Sequence, residues 1–297
     1  MTNARPLVLV LAIGPLLLAA PAGATAQPTR PPSPSAPSRQ LVLDTMKRAT
    51  TFMQDSVSHG GGYVWAYLPD RSRRWGELEA TPTMIWIQPP GTATVGHLLL
   101  DAYRATGDEF YYQGAARVAT ALIAAQHPAG GWNYVHDTAG ADALKKWYDT
   151  VGRNAWRLEE FQHYYGNATF DDGGTAESAR FLLRIYALKH EPAHKAALDR
   201  AIAFVLDSQY PNGAWPQRYP RAEAASLHGL PDYTAYYTFN DDVAAENIEF
   251  LLQAHAVLGE PRLLAAGEWR ATAEGDGRTA GFHLSALYSP WETWAEI

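Results

Sequence analysis

Two distant stretches of the chain carry acidic side chains in nearly the same pattern. Residues 170–183 read FDDGGTAESARFLL, and residues 239–252 read FNDDVAAENIEFLL. Each has an aromatic residue, a tight group of aspartates, an Ala-Glu pair and then an apolar stripe with helical spacing. Two carboxyl groups held close together can act as an acid and a base, as they do in glycoside hydrolysis. The repeat therefore predicts one acidic site assembled from two halves.

The same aspartates have a purely structural interpretation. Asp172 and Asp241 occupy matching positions directly before a predicted helix, where an aspartate commonly accepts hydrogen bonds from the first backbone N–H groups. A cap requires only one acid at each helix, whereas each stretch carries a doublet. We therefore expect the doublets to take part in a site.

A second repeat indicates how the chain brings the two halves together. QHPAGGW at residues 126–132 and QYPNGAW at residues 209–215 share the pattern Q-x-P-x-G-x-W, and each closes an amphipathic segment. The apolar periodicity predicts helix pairs at 92–106 with 109–127, 174–189 with 192–209, and 242–258 with a partner. The apolar stripes expected to face the core include Val95, Leu98, Leu99 and Ala102 in the first helix, Ala115, Ala119, Leu122 and Ile123 in the second, and Leu198, Ile202, Val205 and Leu206 in the helix at 192–209. An opening helix is expected near residues 41–57. Repeated helical hairpins with few short strands predict an all-α fold, an incomplete (α/α) toroid.

Composition divides the chain into four segments. Residues 1–26 have the charged start, the apolar run and the small residues of a signal peptide, which predicts a secreted or periplasmic protein. Residues 27–39 are rich in Pro and Ser and predict a disordered linker. Residues 40–266 are the toroid domain. The periodicity fades in residues 267–297, so this tail is expected to be atypical, either truncated or frame-shifted.

Charge and missing motifs exclude several classes of partner. The formal net charge is −7, which argues against nucleic acid as a ligand. The sequence contains no phosphate loop and no GxGxxG, so no nucleotide site is expected. The apolar run at residues 7–20 is short and is followed by a cleavage pattern, so no membrane association is expected once the signal is removed. A polyanionic ligand would need local cations, supplied by Arg, Lys or a metal.

Three ordered motifs resemble the pectate lyases of polysaccharide lyase family ten. The family shows a DNGAT-like segment, an NGGWPQ segment and an FNDDA-like segment. Their counterparts here are residues 170–175 (FDDGGT), 212–217 (NGAWPQ) and 239–244 (FNDDVA). The resemblance covers roughly residues 88–261. It implies an (α/α) toroid that cleaves polygalacturonate by β-elimination with calcium.

The resemblance also implies roles for particular residues. Calcium binds six to eight oxygen ligands, which carboxylates supply well. The implied metal ligands are Asp171, Asp172, Asp241 and Asp242. The catalytic positions carried over from the family are Asp171 and Asp241, with Asp242 as the alternative to Asp241. Asn240 could add a neutral oxygen ligand, and Asp172 and Asn240 are also expected to contact substrate. Arg218 follows the NGAWPQ segment in an inter-helix loop, where binding sites tend to lie, so it is expected to bind substrate as well. Trp215 is expected to contact substrate by stacking on a sugar ring. For Trp215, packing of the hairpin turn is the alternative to stacking on a sugar ring.

Two departures from the family pattern leave other functions open. Asp172 stands where the family has Asn, which adds a negative charge. The family's arginine base would fall beyond Ile297, and Arg262, Arg270 and Arg278 lie in no recognisable counterpart of it. The sequence therefore predicts that the base is absent. The alternatives are a non-catalytic or defective uronan-binding relative and a glycoside hydrolase on the same fold, with Asp171 and Asp241 or Asp242 as its acid and base.

Overall fold

The computed structural model describes residues 36–155, 161–222, 226–227, 230–231 and 234–267. The predicted signal peptide, residues 27–35 of the predicted linker and residues 268–297 of the predicted tail lie outside this part of the chain. The chain divides into two compact units, residues 1–45 and 46–297. Helix α1 (Arg39–Phe52) crosses this division and continues as a single π-helical turn, Met53–Val57.

The second unit is built from helical hairpins. Its helices are α2 (Thr92–Thr106), α3 (Glu109–Ala125), α4 (Ala141–Thr150), α5 (Gly174–Lys189), α6 (Pro192–Ser208), α7 (Val243–Leu258) and α8 (Pro261–Gly267). Helix α2 packs on α3, α5 on α6, and α7 on α8, while α5 also contacts α2 and α7. The first helices therefore form one layer, and α3 and α6, which contact each other, belong to a second. This is the arrangement of an (α/α) toroid, so the predicted all-α class is confirmed, with three hairpins among the described residues.

The predicted apolar stripes account for the packing of the second helices. In α3, Ala115, Ala119 and Leu122 are completely buried. In α6, Leu198 and Ile202 are completely buried at the same helical spacing. Each helix thus turns one apolar face towards the shared core and stabilises the layer below it.

The Q-x-P-x-G-x-W repeat closes each hairpin in the same way. The Gln126 amide donates to the carbonyl of Gly130 within its own turn (2.7 Å) and to Ala197 of α6 (3.0 Å). In the next repeat, the Gln209 amide donates to Gly213 (2.9 Å) and to Ala266 of α8 (2.9 Å). Each glutamine therefore links its turn to the second helix of the following hairpin by a hydrogen bond. Helix α8 is the partner that the sequence predicts for α7.

The strands are short, as expected from the sequence. They are β1 (Ala66–Tyr67), β2 (Arg74–Trp75), β3 (Glu79–Ala80), β4 (Met84–Trp86), β5 (Val135–Asp137), β6 (Ala168–Thr169), β7 (Arg218–Tyr219), β8 (Ser226–Leu227) and β9 (Leu230–Pro231). All pairs are antiparallel: β1-β2-β3, β4-β5, β6-β7 and β8-β9. The β6–β7 pair aligns Thr169 with Arg218. Thr169 lies two residues before Asp171, the first residue of the first acidic turn.

None of the helices in the described part of the chain combines the length and apolar character needed to cross a bilayer.

Candidate functional site

The two acidic stretches fold into matching turns at the starts of α5 and α7. Residues Asp171–Gly173 and Asn240–Asp242 each form one 3₁₀ turn, and the two turns contact each other. Asp172 and Asp241 have the left-handed backbone, with φ 51° and 49°. Neither helix has a side-chain hydrogen bond at its N-cap, which is Gly173 for α5 and Asp242 for α7. The aspartates therefore do not act as ordinary helix caps.

This backbone is costly and needs support from its surroundings. A residue other than glycine in the left-handed region costs about 1–2 kcal/mol, because its Cβ lies close to the following carbonyl oxygen. Asp242 also has positive φ, 53°, at the position where the first turn has Gly173 with φ 68°. Three aspartates thus hold an unfavourable conformation in two turns that touch. Such conformations are often found at functional sites.

The contact between the turns gathers three carboxylates. Asp171, Asp172 and Asp241 each offer an oxygen, and these oxygens lie within 4.8 Å of one another. Asp171 is buried with 1% of its surface exposed, Asp172 is partly buried and Asp241 is exposed. The group therefore extends from the protein interior to the surface. Asp242, also predicted as a ligand, is not a member of it, and the side chain of Asn240 lies outside the described part of the structure.

Two donors orient the inner carboxylates. The hydroxyl of Tyr134 donates to Oδ2 of Asp171. The side-chain amide of Gln88 donates to Oδ2 of Asp172 at 2.7 Å. Both donors come from segments that precede the acidic turns in sequence, and Tyr134 is completely buried. Hydrogen-bonded carboxylates of this kind are fixed in direction, as metal-binding carboxylates usually are.

Arg218 lies behind the acidic group. It was predicted to bind substrate, but only 2% of its surface is exposed, so the described structure leaves its guanidinium no open side for a polysaccharide. Its Cζ lies 5.0 Å from the ring centre of Tyr134 and 4.6 Å from that of Tyr165. Burial acts to lower the pKa of Arg218, but Tyr134, Tyr148 and Asp171 together raise it above its usual value. Arg218 is therefore a buried cation beside the tyrosine that holds Asp171.

Trp215 packs the hairpin turn, which was the alternative to stacking on a sugar ring. It is completely buried, and its Nε1 donates to the carbonyl of Val205 in α6 at 2.8 Å. Trp132 makes the equivalent bond to Leu122 of α3, also at 2.8 Å. Since neither indole has an exposed face, no sugar ring can stack on Trp215 in this structure.

Residues of α2, α5 and α7, several of them charged, line a pocket between the first helices of the hairpins. The pocket has a volume of about 340 Å³ and is lined by Thr94, His97, Leu98, Glu177, Arg180, Arg184 and Gln253. Arg180 bonds Glu177 and Glu249, each at 2.8 Å. Leu98, predicted to be on the apolar stripe of α2, is 63% exposed and lines this pocket instead. The charged residues that line the pocket are thus already engaged in ion pairs, Arg180 with Glu177 and Arg184 with Asp101.

Sequence reasoning missed Gln88 and Tyr134, although the repeat contains a signal for the first of them. Residues 87–92 (IQPPGT) and 170–175 (FDDGGT) both end in Gly-Thr. The two threonines make the same contact: Thr92 Oγ1 accepts from the amide of Tyr63 and Thr175 Oγ1 from that of Trp132, each at 3.0 Å. Aligning these segments would have placed Gln88 at the position of Asp171.

The comparisons with known proteins agree with the motif resemblance over part of the chain. Residues 145–261, which contain both acidic turns, match the family model for pectic acid lyase, so the predicted resemblance to pectate lyases is confirmed for this segment. No curated protein matches the chain.

Several solved structures resemble the fold weakly. The family 10 polysaccharide lyase from Cellvibrio cellulosa is 16% identical, with a TM-score of 0.45, and the match covers 75% of this chain and 64% of that one. An aspartate-to-alanine variant of that lyase, in complex with trigalacturonic acid, gives a TM-score of 0.43 at 16% identity, covering 74% and 65%. A cellobiose 2-epimerase from Spirochaeta thermophila gives 0.46 at 12% identity, covering 77% and 53%. This chain therefore spans somewhat less than two thirds of the lyase chains.

Proposed function

We propose that this chain is a pectate-lyase-like protein that binds polygalacturonate together with calcium and cleaves it by β-elimination where a base is supplied. The observation that carries the proposal is the meeting of the two acidic turns, which brings Asp171, Asp172 and Asp241 within 4.8 Å of one another. All three lie inside the segment that matches the pectic acid lyase model. The proposal extends that likeness to a substrate, a cofactor and a reaction.

The donor set is suited to calcium. Calcium takes oxygen ligands at 2.3–2.6 Å, so two ligands of one ion are separated by at most about 5 Å. The three carboxylate oxygens satisfy that limit, and they combine with the carboxylates of a uronan to complete six to eight oxygens. No ligand is a nitrogen or a sulfur atom, which disfavours zinc and copper.

The proposed roles follow from where each carboxylate lies. Asp171 is fixed by Tyr134 in the interior and supplies a rigid ligand. Asp241 is exposed, so in this proposal it is the ligand that meets the polysaccharide from solvent. When bound, the cation neutralises the uronate carboxylate and so makes the neighbouring ring proton more acidic. The chain's own contribution is to hold the substrate's carboxylate beside that cation.

A second candidate is a uronan-binding protein without lyase activity. The observation that favours it concerns the described residues after the second turn, 243–267. The arginine in that range is Arg262, which is exposed and bonded to Glu260 at 2.8 Å. Its guanidinium is therefore already paired with a carboxylate that is not a member of the acidic group. Such a protein would bind polygalacturonate with calcium and leave it uncut.

One assay on the purified chain separates these functions. Polygalacturonate is incubated with the chain with and without calcium, and both unsaturated product and binding are measured. Unsaturated product only with calcium supports a lyase, and calcium-dependent binding without product supports the binding protein. Saturated reducing ends would instead indicate a glycoside hydrolase. The absence of both binding and product would refute the proposal.

Variants assign the activity to the acidic group. Asp171→Asn and Asp241→Asn should each lower calcium affinity at least tenfold, because each removes one of three charged ligands. Asp207→Asn is the matched control, since Asp207 is exposed on α6 and is not a member of the acidic group. Equal affinity in all variants would mean that the acidic group does not hold the ion.

We also propose export of the chain, on the strength of residues 1–26. In a Gram-negative host, the amino terminus of protein recovered from the periplasm or the medium should be Gln27. An amino terminus at Met1 in the recovered protein would refute this.

A further inference from the structure

Gln88 is a buried residue that touches the acidic group from outside residues 145–261, the segment that matches the pectic acid lyase model. Only 4% of its surface is exposed. Its amide nitrogen donates to Oδ2 of Asp172 at 2.7 Å and to Oε2 of Glu77 at 3.2 Å. Its amide oxygen accepts from Nε1 of Trp86 at 2.9 Å. Both amide N–H groups and the amide oxygen of this side chain therefore have hydrogen-bond partners.

Trp86 determines which way the amide faces. The indole N–H of a tryptophan can only donate, so the atom that faces it must be the amide oxygen of Gln88. The amide NH₂ group then faces Asp172 and Glu77, both of which can accept. Trp86 itself is completely buried and packs edge-on against Trp65 and Trp147. The direction of the donor is thus fixed by the aromatic core.

The internal repeat gives Gln88 the position that Asp171 has in the next unit. The amide of Ile87 donates to the carbonyl of Tyr134 at 2.7 Å, and the amide of Phe170 donates to that of Gln217 at 2.8 Å. Gln88 and Asp171 are the residues that follow these two donors. The first unit therefore places a neutral amide where the second unit has a carboxylate. The amide brings a donor to the acidic group without adding a fourth negative charge.

We propose that Gln88 is a positioning residue that holds the carboxylate of Asp172 in the direction required for a cation, and that Trp86 acts on the site through Gln88. This inference rests on the proposed calcium site. A neutral donor behind a ligand restricts the ligand's rotation, so less conformational entropy is lost when the ion binds. Removing partners of this kind typically lowers metal affinity about 10- to 100-fold.

The test is calcium binding by isothermal titration calorimetry on the purified chain, without any polysaccharide. Gln88→Met removes the donor at nearly constant volume and should weaken calcium binding at least tenfold. Gln126→Met is the matched control, because it also removes a glutamine amide that donates two hydrogen bonds, in a turn that carries no carboxylate ligand. Its calcium affinity should equal that of the wild type. Thermal unfolding establishes that each variant is folded at the titration temperature.

Trp86→Phe tests the route by which the core acts. Phenylalanine keeps an aromatic ring but removes the N–H, so the amide of Gln88 is free to rotate away from Asp172. Calcium affinity should fall, by less than in Gln88→Met, and the same substitution in the Gln88→Met background should cause no further loss. A residue that only packs the core would weaken binding equally in both backgrounds. If Gln88→Met does not fold, Trp86→Phe alone still tests the inference, and an unchanged calcium affinity in that variant would overturn it.

The outcomes distinguish the inference from the function on which it rests. Calcium binding by the wild type together with equal binding by Gln88→Met overturns the role of Gln88 and leaves the calcium site intact. Additive losses in the double variant overturn the link through Trp86. No calcium binding by the wild type overturns the proposed site, and the role of Gln88 falls with it.

Discussion

Glu177 and Glu246 occupy equivalent positions in the two acidic repeats, yet their surroundings move their pKa values in opposite directions. Burial raises the pKa of both. At Glu177, a hydrogen bond with His97 and the charge and hydrogen bond of Arg180 outweigh burial and lower the pKa to about 2. At Glu246, burial dominates, Arg180 compensates only in part, and the nearby carboxylates of Glu177, Asp242 and Glu249 help raise the pKa to about 8.

The two pKa values differ because Arg180 forms side-chain hydrogen bonds with Glu177 and Glu249 but not with the carboxylate of Glu246. The guanidinium of Arg180 donates to Glu177 and Glu249, each at 2.8 Å, and reaches only the backbone carbonyl of Glu246, at 3.3 Å. Oε2 of Glu246 is buried with no hydrogen-bond partner. A carboxyl group in that setting is more stable when it is neutral.

Glu246→Gln should stabilise the fold in a pH-dependent way. A carboxyl whose pKa is raised on folding contributes stability below its unfolded pKa, near 4.5, and that contribution is lost as the pH rises to about 8. The gain in free energy of unfolding of the variant over the wild type should therefore be absent near pH 4, grow between pH 4 and pH 8 and level off above pH 8. Its maximum should be about 2 kcal/mol after allowing for solvent screening of the partly exposed group. Urea unfolding at pH 4, 6 and 9 measures the gain. A constant difference at all three pH values would contradict the prediction.

Glu177→Gln should show the opposite dependence. A carboxyl whose pKa is lowered contributes stability above its unfolded pKa of about 4.5 and loses it as the pH falls towards 2. The variant should be less stable by about 1–3 kcal/mol at pH 7, because it weakens a partly buried ion pair.

Two comparisons sharpen this second test. The cost of Glu177→Gln should shrink when unfolding is repeated at pH 3.5. Glu249→Gln is the control, since Glu249 has 49% of its side chain exposed and binds the same arginine; it should cost less than 1 kcal/mol. A larger loss for Glu249 than for Glu177 would show that burial does not govern this network.

Much of the helical architecture could be predicted from sequence because it depends on periodic burial. The stripes of α3 and α6 predicted which residues enter the core, and the Q-x-P-x-G-x-W pattern marked where each hairpin ends. The prediction for α2 was wrong at Leu98, which is 63% exposed. Periodicity reports that a helix has an apolar face, but not which neighbours cover every part of it.

The site was less accessible to sequence reasoning for a physical reason. An aspartate before a helix has the same one-dimensional pattern whether it caps the helix or bends the chain. The left-handed backbone of Asp172 and Asp241, which distinguishes the two cases, leaves no periodic signal. Gln88 belongs to a segment without acidic residues, so only the shared Gly-Thr ending connected it to the site. A loop position predicts a substrate contact for Arg218, and an aromatic ring predicts one for Trp215, but both side chains are buried.

Gly130→Ala should destabilise the turn that leads to Tyr134. Gly130 has φ of 112°, and a Cβ there would lie 2.2 Å from the backbone carbonyl oxygen of Arg200 in α6. The backbone conformation alone costs about 1–2 kcal/mol, and displacing a helix carbonyl adds about 1–3 kcal/mol. Gly107→Ala is the matched control, because Gly107 has φ of 70° with no atom within 4 Å of an added Cβ. Urea unfolding should show that Gly107→Ala lowers the free energy of unfolding only by the cost of the backbone conformation. Equal losses of stability in the two variants would show that the contact with the Arg200 carbonyl is easily relieved.

Arg218→Lys should weaken both the fold and calcium binding. The planar guanidinium contacts the rings of Tyr134 and Tyr165 together, whereas an ammonium group is a compact charge that needs more water around it. A lysine buried at this position should cost about 2–4 kcal/mol of stability and loosen the hydroxyl that holds Asp171. Thermal unfolding and calcium titration measure the two effects.

The control for this substitution is Arg200→Lys. Arg200 is exposed on α6 and bonds Gln126, so its replacement should leave calcium affinity unchanged. The result separates two roles for Arg218. A residue that only contacted the polysaccharide would, when changed to lysine, raise the KM for polygalacturonate while leaving the melting temperature and calcium affinity as they are. Losses of stability and calcium affinity measured without polysaccharide would instead show that Arg218 acts through Tyr134, because its guanidinium packs on the ring of the tyrosine that donates to Asp171.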